Sequence, residues 1–331
     1  MNSRENERSG RLKHPLDFSS GDLFFSLSDY RNNSFLSSDL NKVLDFFNRF
    51  ESQGDLIEWM KERPKGIANV YEVDGDKDII VVIPTADFSG KYAKECRENI
   101  FRGLQIVFVE SGEIPDPYFN YAHNCNVGIQ VALKYNPKWV IISNDDMEAV
   151  DSVEKLKAEL SKINIFSGQI VLAKGKGFHS RKIKIGYRTR WIDLLKLNKN
   201  NAKIIDIENS IKAKYGRLLG IDRYYSLHTI FTKSMFLLKN AASFFIVSST
   251  MLIRKNGILF DETFINGLED VDAVLAESVH KPLFINYRIN DIGGATLGGM
   301  NTMRFVRDII NRIYFTYKFE NGYFKKFGIK Q

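Results

Sequence analysis

The run Val140-Ile141-Ile142-Ser143-Asn144 ends in two adjacent carboxylates, Asp145 and Asp146. Two acids at the end of an apolar run repel each other unless something positive stands beside them. A hard divalent cation with oxygen ligands, shared with a substrate diphosphate, suits this pattern. The plainer reading is a polar turn, with Asn144 and Asp145 capping a helix that starts near Ser152. Three more clusters border apolar runs: Pro84-Thr85-Ala86-Asp87, Glu110-Ser111-Gly112 and Gly267-Leu268-Glu269-Asp270-Val271-Asp272. In the last, Asp270 can take a proton from a hydroxyl as a general base, or it can simply favour a helix N-terminus through the dipole. Glu269 can orient Asp270 or serve as a solvated or capping acid. His123, His179, His228 and His280 have no ligand spacing among themselves and read as surface or packing residues.

These clusters need elements to hold them. Residues 79–83 form a continuous β-branched run ended by Pro84, which reads as a buried strand. Residues 106–109 and 139–142 are two more such runs, and helical patterns over 91–101 and 121–135 separate the three. Strand–helix–strand alternation predicts parallel strands with right-handed crossovers. The first three clusters then share one sheet edge, as a nucleotide pocket requires. No Gly-rich phosphate loop follows the first strand, which argues against dinucleotide or P-loop chemistry. Further along, the pattern predicts helices over 153–163, 271–279 and 303–319, and strands over 170–173, 244–253 and 283–289. Residues 1–38 read as loosely ordered, and 40–61 as one or two amphipathic helices. The expected organisation is an N-terminal, partly helical extension (1–76), an α/β catalytic unit (77–300) and a basic, aromatic helical tail (301–331).

The order of these pieces resembles the family 2 glycosyltransferases of the GT-A fold, over roughly residues 78–299. Pro84-Thr85 is similar to that family's sugar-nucleotide turn, and Val109-Glu110-Ser111-Gly112 to its base-contacting strand end. Asn120-Tyr121-Ala122 through Asn126-Val127-Gly128 resembles the helix that leads into the metal motif. Asn144-Asp145-Asp146 looks like a D-x-D variant. Residues 257–264, followed by Gly267-Leu268-Glu269-Asp270-Val271-Asp272, resemble the acceptor-side block, the most specific of these pieces. The resemblance implies a GT-A-like, mostly parallel sheet flanked by helices. It also implies metal-assisted, inverting transfer of a sugar from a nucleotide-diphosphate-sugar to an acceptor hydroxyl. Asp270 would be the base, with Glu269 beside it, and Asp146 with Asp291 would hold Mn2+ or Mg2+. Pro84, Thr85, Asp87, Glu110, Asn120, Asn126 and Asp145 would line the donor pocket. The acceptor would be a glycan, a lipid-linked sugar or a protein. Three positions depart from the family pattern: Glu110 where Asp is usual, Asn120 where Arg is frequent, and Asp291 where His is common.

Composition sets outer limits. The chain has 331 residues, 44% hydrophobic and 13% aromatic, enough for a real core. Its two cysteines build no disulfide framework and fit a reducing compartment. Met1 to Arg11 lacks the apolar core of a secretory signal, and the longest apolar stretch, 244–253, is too short to span a bilayer. A cytoplasmic protein, soluble or peripheral to a membrane, is expected. The net charge of +7 is uneven. Residues 174–217 carry thirteen Lys/Arg against three acids, and 301–331 carry seven against two. The first stretch suits a basic insertion or lid, or a surface for an anionic acceptor. The tail helix suits an anionic membrane surface or packing against the catalytic unit. Rival readings are a sugar-phosphate nucleotidyltransferase, which should carry a Gly-rich loop that 84–90 lacks, and a basic nucleic-acid-binding protein. The second gives the acids no role, so nucleic acid is not the expected partner. A transferase domain kept for binding alone is the third, motivated by Asn120 and Asp291.

Overall fold

The computed structural model describes residues 27–112, 116–167, 170–175, 183–186, 235–238, 245–256, 259–277, 283–292 and 302–318. Strand β1 (Ala68–Val73) lies at one edge of the main sheet, followed by β2 (Asp76–Thr85). Helix α4 (Lys91–Glu95), continued by a π-helical turn over Cys96–Ile100, leads to β3 (Leu104–Ser111). Helix α5 (Tyr121–Leu133) then leads to β4 (Trp139–Ser143). The expected parallel trio is present: Ile80–Thr85 of β2 pair with Gln105–Glu110 of β3, and Ile79–Val82 with Trp139–Ile142 of β4. Alternate residues serve two cores. Val81, Ile83 and Ile141 pack with Ala93, Cys96 and Ile100 on one face. Ile80, Val82 and Val140 pack with Ala122, Cys125 and Ile129 on the other. Burial on both faces is why these strands read as unbroken apolar runs. The two crossover helices therefore lie on opposite faces, and the chain switches direction between β2 and β4, where open sheets leave a crevice.

The remainder of the sheet corrects the expectation of a mostly parallel one. Its order is β1-β3-β2-β4-β9-β6-β10-β5, where β5 is Met147–Ala149, β6 Val171–Lys174, β9 Phe245–Ser249 and β10 Leu283–Asp291. Three pairings are parallel and four antiparallel, so this is one mixed, curled, half-barrel sheet with helices. Strand direction leaves no mark on a run buried on both faces, and β9 carries the same apolar residues antiparallel between β4 and β6. A separate antiparallel ribbon joins β7 (Ile183–Gly186) to β8 (Met235–Leu238). The rest of the basic stretch 174–217, apart from residues 174 and 175, lies outside the described residues.

Two local expectations also change. Residues 244–253 are not one strand: β9 ends at Ser249, and α7 (Thr250–Asn256) begins at once. Ser249 Oγ accepts the Leu252 N–H at 3.3 Å, so the serines inside the apolar run are a helix-start signal. Residues 27–36, expected to be loose, form α1 (Leu27–Leu36), anchored by buried Phe35. Helices α2 (Leu40–Phe47) and α3 (Gln53–Glu62) follow, the latter opened by a Ser52/Asp55 capping box. Helix α6 (Val153–Leu160) covers the sheet, α8 spans Glu269–Glu277, and the tail helix is α9 (Thr302–Lys318). A third core joins the N-terminal helices to α9: Phe46, Phe47 and Trp59 pack with Phe264, Val271, Ile310 and Phe315. The apolar face of α9 is thus buried in protein. No helix among the described residues is long and apolar enough to cross a membrane.

Gly128 shows how tightly α5 sits on the sheet. A Cβ there would run into the side chains of Val82 and Val109. An exposed helical Gly replaced by Ala gains up to about 1 kcal/mol of propensity, but overpacking costs about 1–3 kcal/mol. Gly128→Ala is therefore expected to lower the urea midpoint. A raised midpoint would show that the sheet yields to the extra methyl.

Candidate functional site

At the β2/β4 switch the first and third clusters meet. Thr85 Oγ1 donates to Asp145 Oδ2 at 2.7 Å, and Cys96 Sγ donates to the Asp145 carbonyl at 3.3 Å. Burial pushes the Asp145 carboxyl up to about 6; the Thr85 bond opposes this, and the charge of Asp146 adds to it. Asp146 is 6% exposed. Its carbonyl accepts the Ile292 N–H at 3.0 Å, and Asp291 faces Met147 across the β10–β5 pairing. Asp146 and Asp291, far apart in sequence, therefore arrive at one corner of the sheet. Among the described residues no three His, Cys, Asp or Glu side chains form a metal cluster. Two carboxylates fall short of a protein-only cage.

The other residues expected at the donor pocket serve the loop after β2. Phe88 N–H donates to Glu110 Oε2 at 2.9 Å, so Glu110 pins that loop to the end of β3. Phe88 also stacks on Tyr71 of β1, with ring centroids 4.5 Å apart and planes 7° from parallel. Asp87 is exposed, and its carboxylate accepts the Ser89 N–H at 2.9 Å, building the turn into α4. Pro84 is buried within β2, opposite Val109.

The start of α5 is a staple. Asn120 caps it, accepting the His123 N–H at 2.8 Å, while its amide donates to the carbonyls of Glu262 (3.0 Å) and Phe264 (2.9 Å). Asn126 Nδ2 donates to the Phe260 carbonyl (2.8 Å) and Glu262 Oε1 (2.9 Å), and its Oδ1 accepts the Phe260 N–H (3.2 Å). His123 Nδ1 lies 3.0 Å from Glu262 Oε2. Both amide N–H groups of Asn120, and likewise of Asn126, are thus used inside the protein. Their work is to lash residues 260–264 to α5. Tyr121 spans the gap between clusters: its hydroxyl donates to Asn144 Oδ1 at 2.9 Å, and its ring meets Phe260 edge-on. The same hydroxyl lies in the field of Glu269 and Asp270.

The Gly267–Asp272 cluster is set by a strained turn. Asn266 and Leu268 hold φ of 53° and 70°, left-handed values that cost a bulky side chain about 1–2 kcal/mol. The turn survives because neighbours determine it. Buried Asn311 of α9 accepts the Ile265 N–H and donates to its carbonyl, both at 2.8 Å. Asn266 Oδ1 accepts the Tyr121 N–H at 2.9 Å. A Cβ on Gly267 would meet Asp308 Oδ1 at 2.5 Å and Asn311 Nδ2 at 2.8 Å. Asp272 is spent on Lys318, at 2.8 Å, which also bonds Asp261 at 2.6 Å. Glu269 and Asp270 then open α8. Burial pushes Glu269 up to about 8, with help from the Asp270 charge, and burial pushes Asp270 up to about 6.

Sequence reasoning placed the acids but gave no role to Tyr121, Asn311 or Lys318. Asn120 and Asn126 at the start of one helical run hinted at a polar staple. Nothing in the sequence marked Asn311 apart from its polar type within an apolar helix face. No protein-family model and no curated protein matches this chain.

Proposed function

We propose that this protein is a nucleotide-sugar-dependent glycosyltransferase of the inverting, metal-assisted kind. The observation that carries the reading is the position of Tyr121: its hydroxyl bonds Asn144 of the double-acid motif, and its N–H bonds Asn266 in the turn that leads into Glu269 and Asp270. A diphosphate beside Asp146 and a hydroxyl beside Asp270 would then face each other across one crevice. Asp146 and Asp291 are the residues that would hold a divalent cation, which when bound neutralises the leaving diphosphate. Thr85, Asp145 and Glu110 fix the floor and the loop over the nucleotide. Asp270, at the start of a helix and raised toward neutrality, takes the proton of the attacking acceptor hydroxyl. One base on the far side of the sugar gives in-line displacement with inversion. Glycans, lipid-linked sugars and proteins all present such a hydroxyl.

A panel of nucleotide-diphosphate-sugars, each with and without Mn2+, tests this by thermal shift. A donor at about 100 times its Kd stabilises a fold by about 2.7 kcal/mol. At least one donor is expected to raise Tm only when Mn2+ is present, and to release nucleoside diphosphate on incubation. A flat panel with no nucleotide released would overturn the reading.

A further inference from the structure

Glu269 is only 7% exposed, although it opens a helix whose first turn also carries Asp270 and Asp272. Its Oε2 is buried with no hydrogen-bond partner, and burial outweighs the nearby backbone N–H groups of Glu269 and Gly267, which favour the ionised form. The titratable groups facing it come from three elements: Asp270 beside it, Asp308 from α9, and Tyr121 and Cys125 from α5. None of these is a cation. Lys318, which serves this region, is bonded to Asp261 and Asp272. Two ionised carboxylates side by side in such a place would be strongly disfavoured.

We propose that Glu269 works as a neutral carboxylic acid, a positioning residue that braces the left-handed turn and leaves the pair a single negative charge, on Asp270. Only the reaction it serves rests on the transferase reading; the protonation and the brace do not. A buried carboxylate oxygen with no donor to satisfy it favours the protonated form, so at neutral pH the proton resides on Glu269, whose carboxyl burial raises further than that of Asp270. The stabilising contribution of neutral Glu269 is complete below its ordinary value of 4.5. It is lost as pH rises through about 8, because the unfolded chain ionises first.

Difference infrared spectra of wild type and Glu269→Gln read the protonation directly. A protonated-carboxyl band is expected in the wild type at neutral pH and absent from the variant. The fall in wild-type Tm across the same pH window should flatten in Glu269→Gln. In transfer assays, Glu269→Ala is expected to lose about 10- to 100-fold in kcat with donor KM held, and Glu269→Gln to recover most of that loss. A missing wild-type band, or a Glu269→Gln enzyme as inactive as Asp270→Asn, overturns the proposal. If the wild type turns over no nucleotide-sugar, transfer is the wrong reaction, and the band and the pH–stability curve still decide the state of Glu269.

Discussion

Asp270→Asn is expected to cut sugar transfer by about 10²- to 10⁴-fold, the range supplied by one general base, while leaving the folded protein as stable as before or more so. The two readouts move apart for a physical reason. If Asp270 merely supported the helix dipole, its loss would cost about 0.3–1 kcal/mol of stability and no chemistry. The carboxylate is instead raised to about 6 by burial, opposed by the backbone N–H groups of Val271 and Asp270. A folded value above the ordinary 3.8 means that the stability contribution is complete below 3.8 and lost as pH rises through about 6. At neutral pH the ionised side chain is therefore a burden that Asn removes. The pH profile of kcat/KM adds a check: activity should rise with pH through a midpoint of about 6 and then level off. Full turnover by the variant, or an acid limb centred near the ordinary carboxylate value, would show that the base lies elsewhere.

The parts of this architecture that the sequence displays are those whose side chains answer to one period. Ile79–Ile83, Ile106–Val109 and Trp139–Ile142 are buried on both faces, so each reads as a strand whatever surrounds it. The same uniformity hides direction, and the mixed sheet was illegible for that reason. Strand β1 was missed because its residues alternate weakly and sit at an edge, with Val70 exposed. The acids were visible because each cluster ends or borders an apolar run in the sequence. Their surroundings were not visible. Asn120 and Asn126 were expected at the donor pocket; Asn120 caps α5, and the amides of both lash residues 260–264 from more than a hundred positions away. Lys318 looked like one more basic residue of a tail helix suited to a membrane surface or to packing on the catalytic unit, and its pairing with Asp261 and Asp272 was not visible. Long-range polar pairing of this kind has no periodicity to betray it.

Asp146→Ala is expected to abolish the metal-dependent part of donor binding, weakening the donor by at least about 10-fold, or 1.4 kcal/mol, and to abolish turnover with it. The fold should tolerate the change. Asp146 is buried next to Asp145, and removing one of two adjacent carboxylates relieves repulsion. Its carbonyl, which accepts the Ile292 N–H and so ties β5 to the end of β10, is untouched by the substitution. The decisive comparison is the Mn2+-dependent shift in Tm at saturating donor. Wild type should show it, Asp146→Ala should not, and Asp270→Asn should keep it, because a base acts on the acceptor rather than on the diphosphate. Asp291→Ala tests the second proposed ligand and is expected to follow Asp146→Ala, since β10 pairs Asp291 with Met147, the residue after Asp146, and Ile292 N–H bonds the Asp146 carbonyl. A Mn2+ shift that survives in both variants would place the cation, or the nucleotide itself, somewhere other than the end of β4.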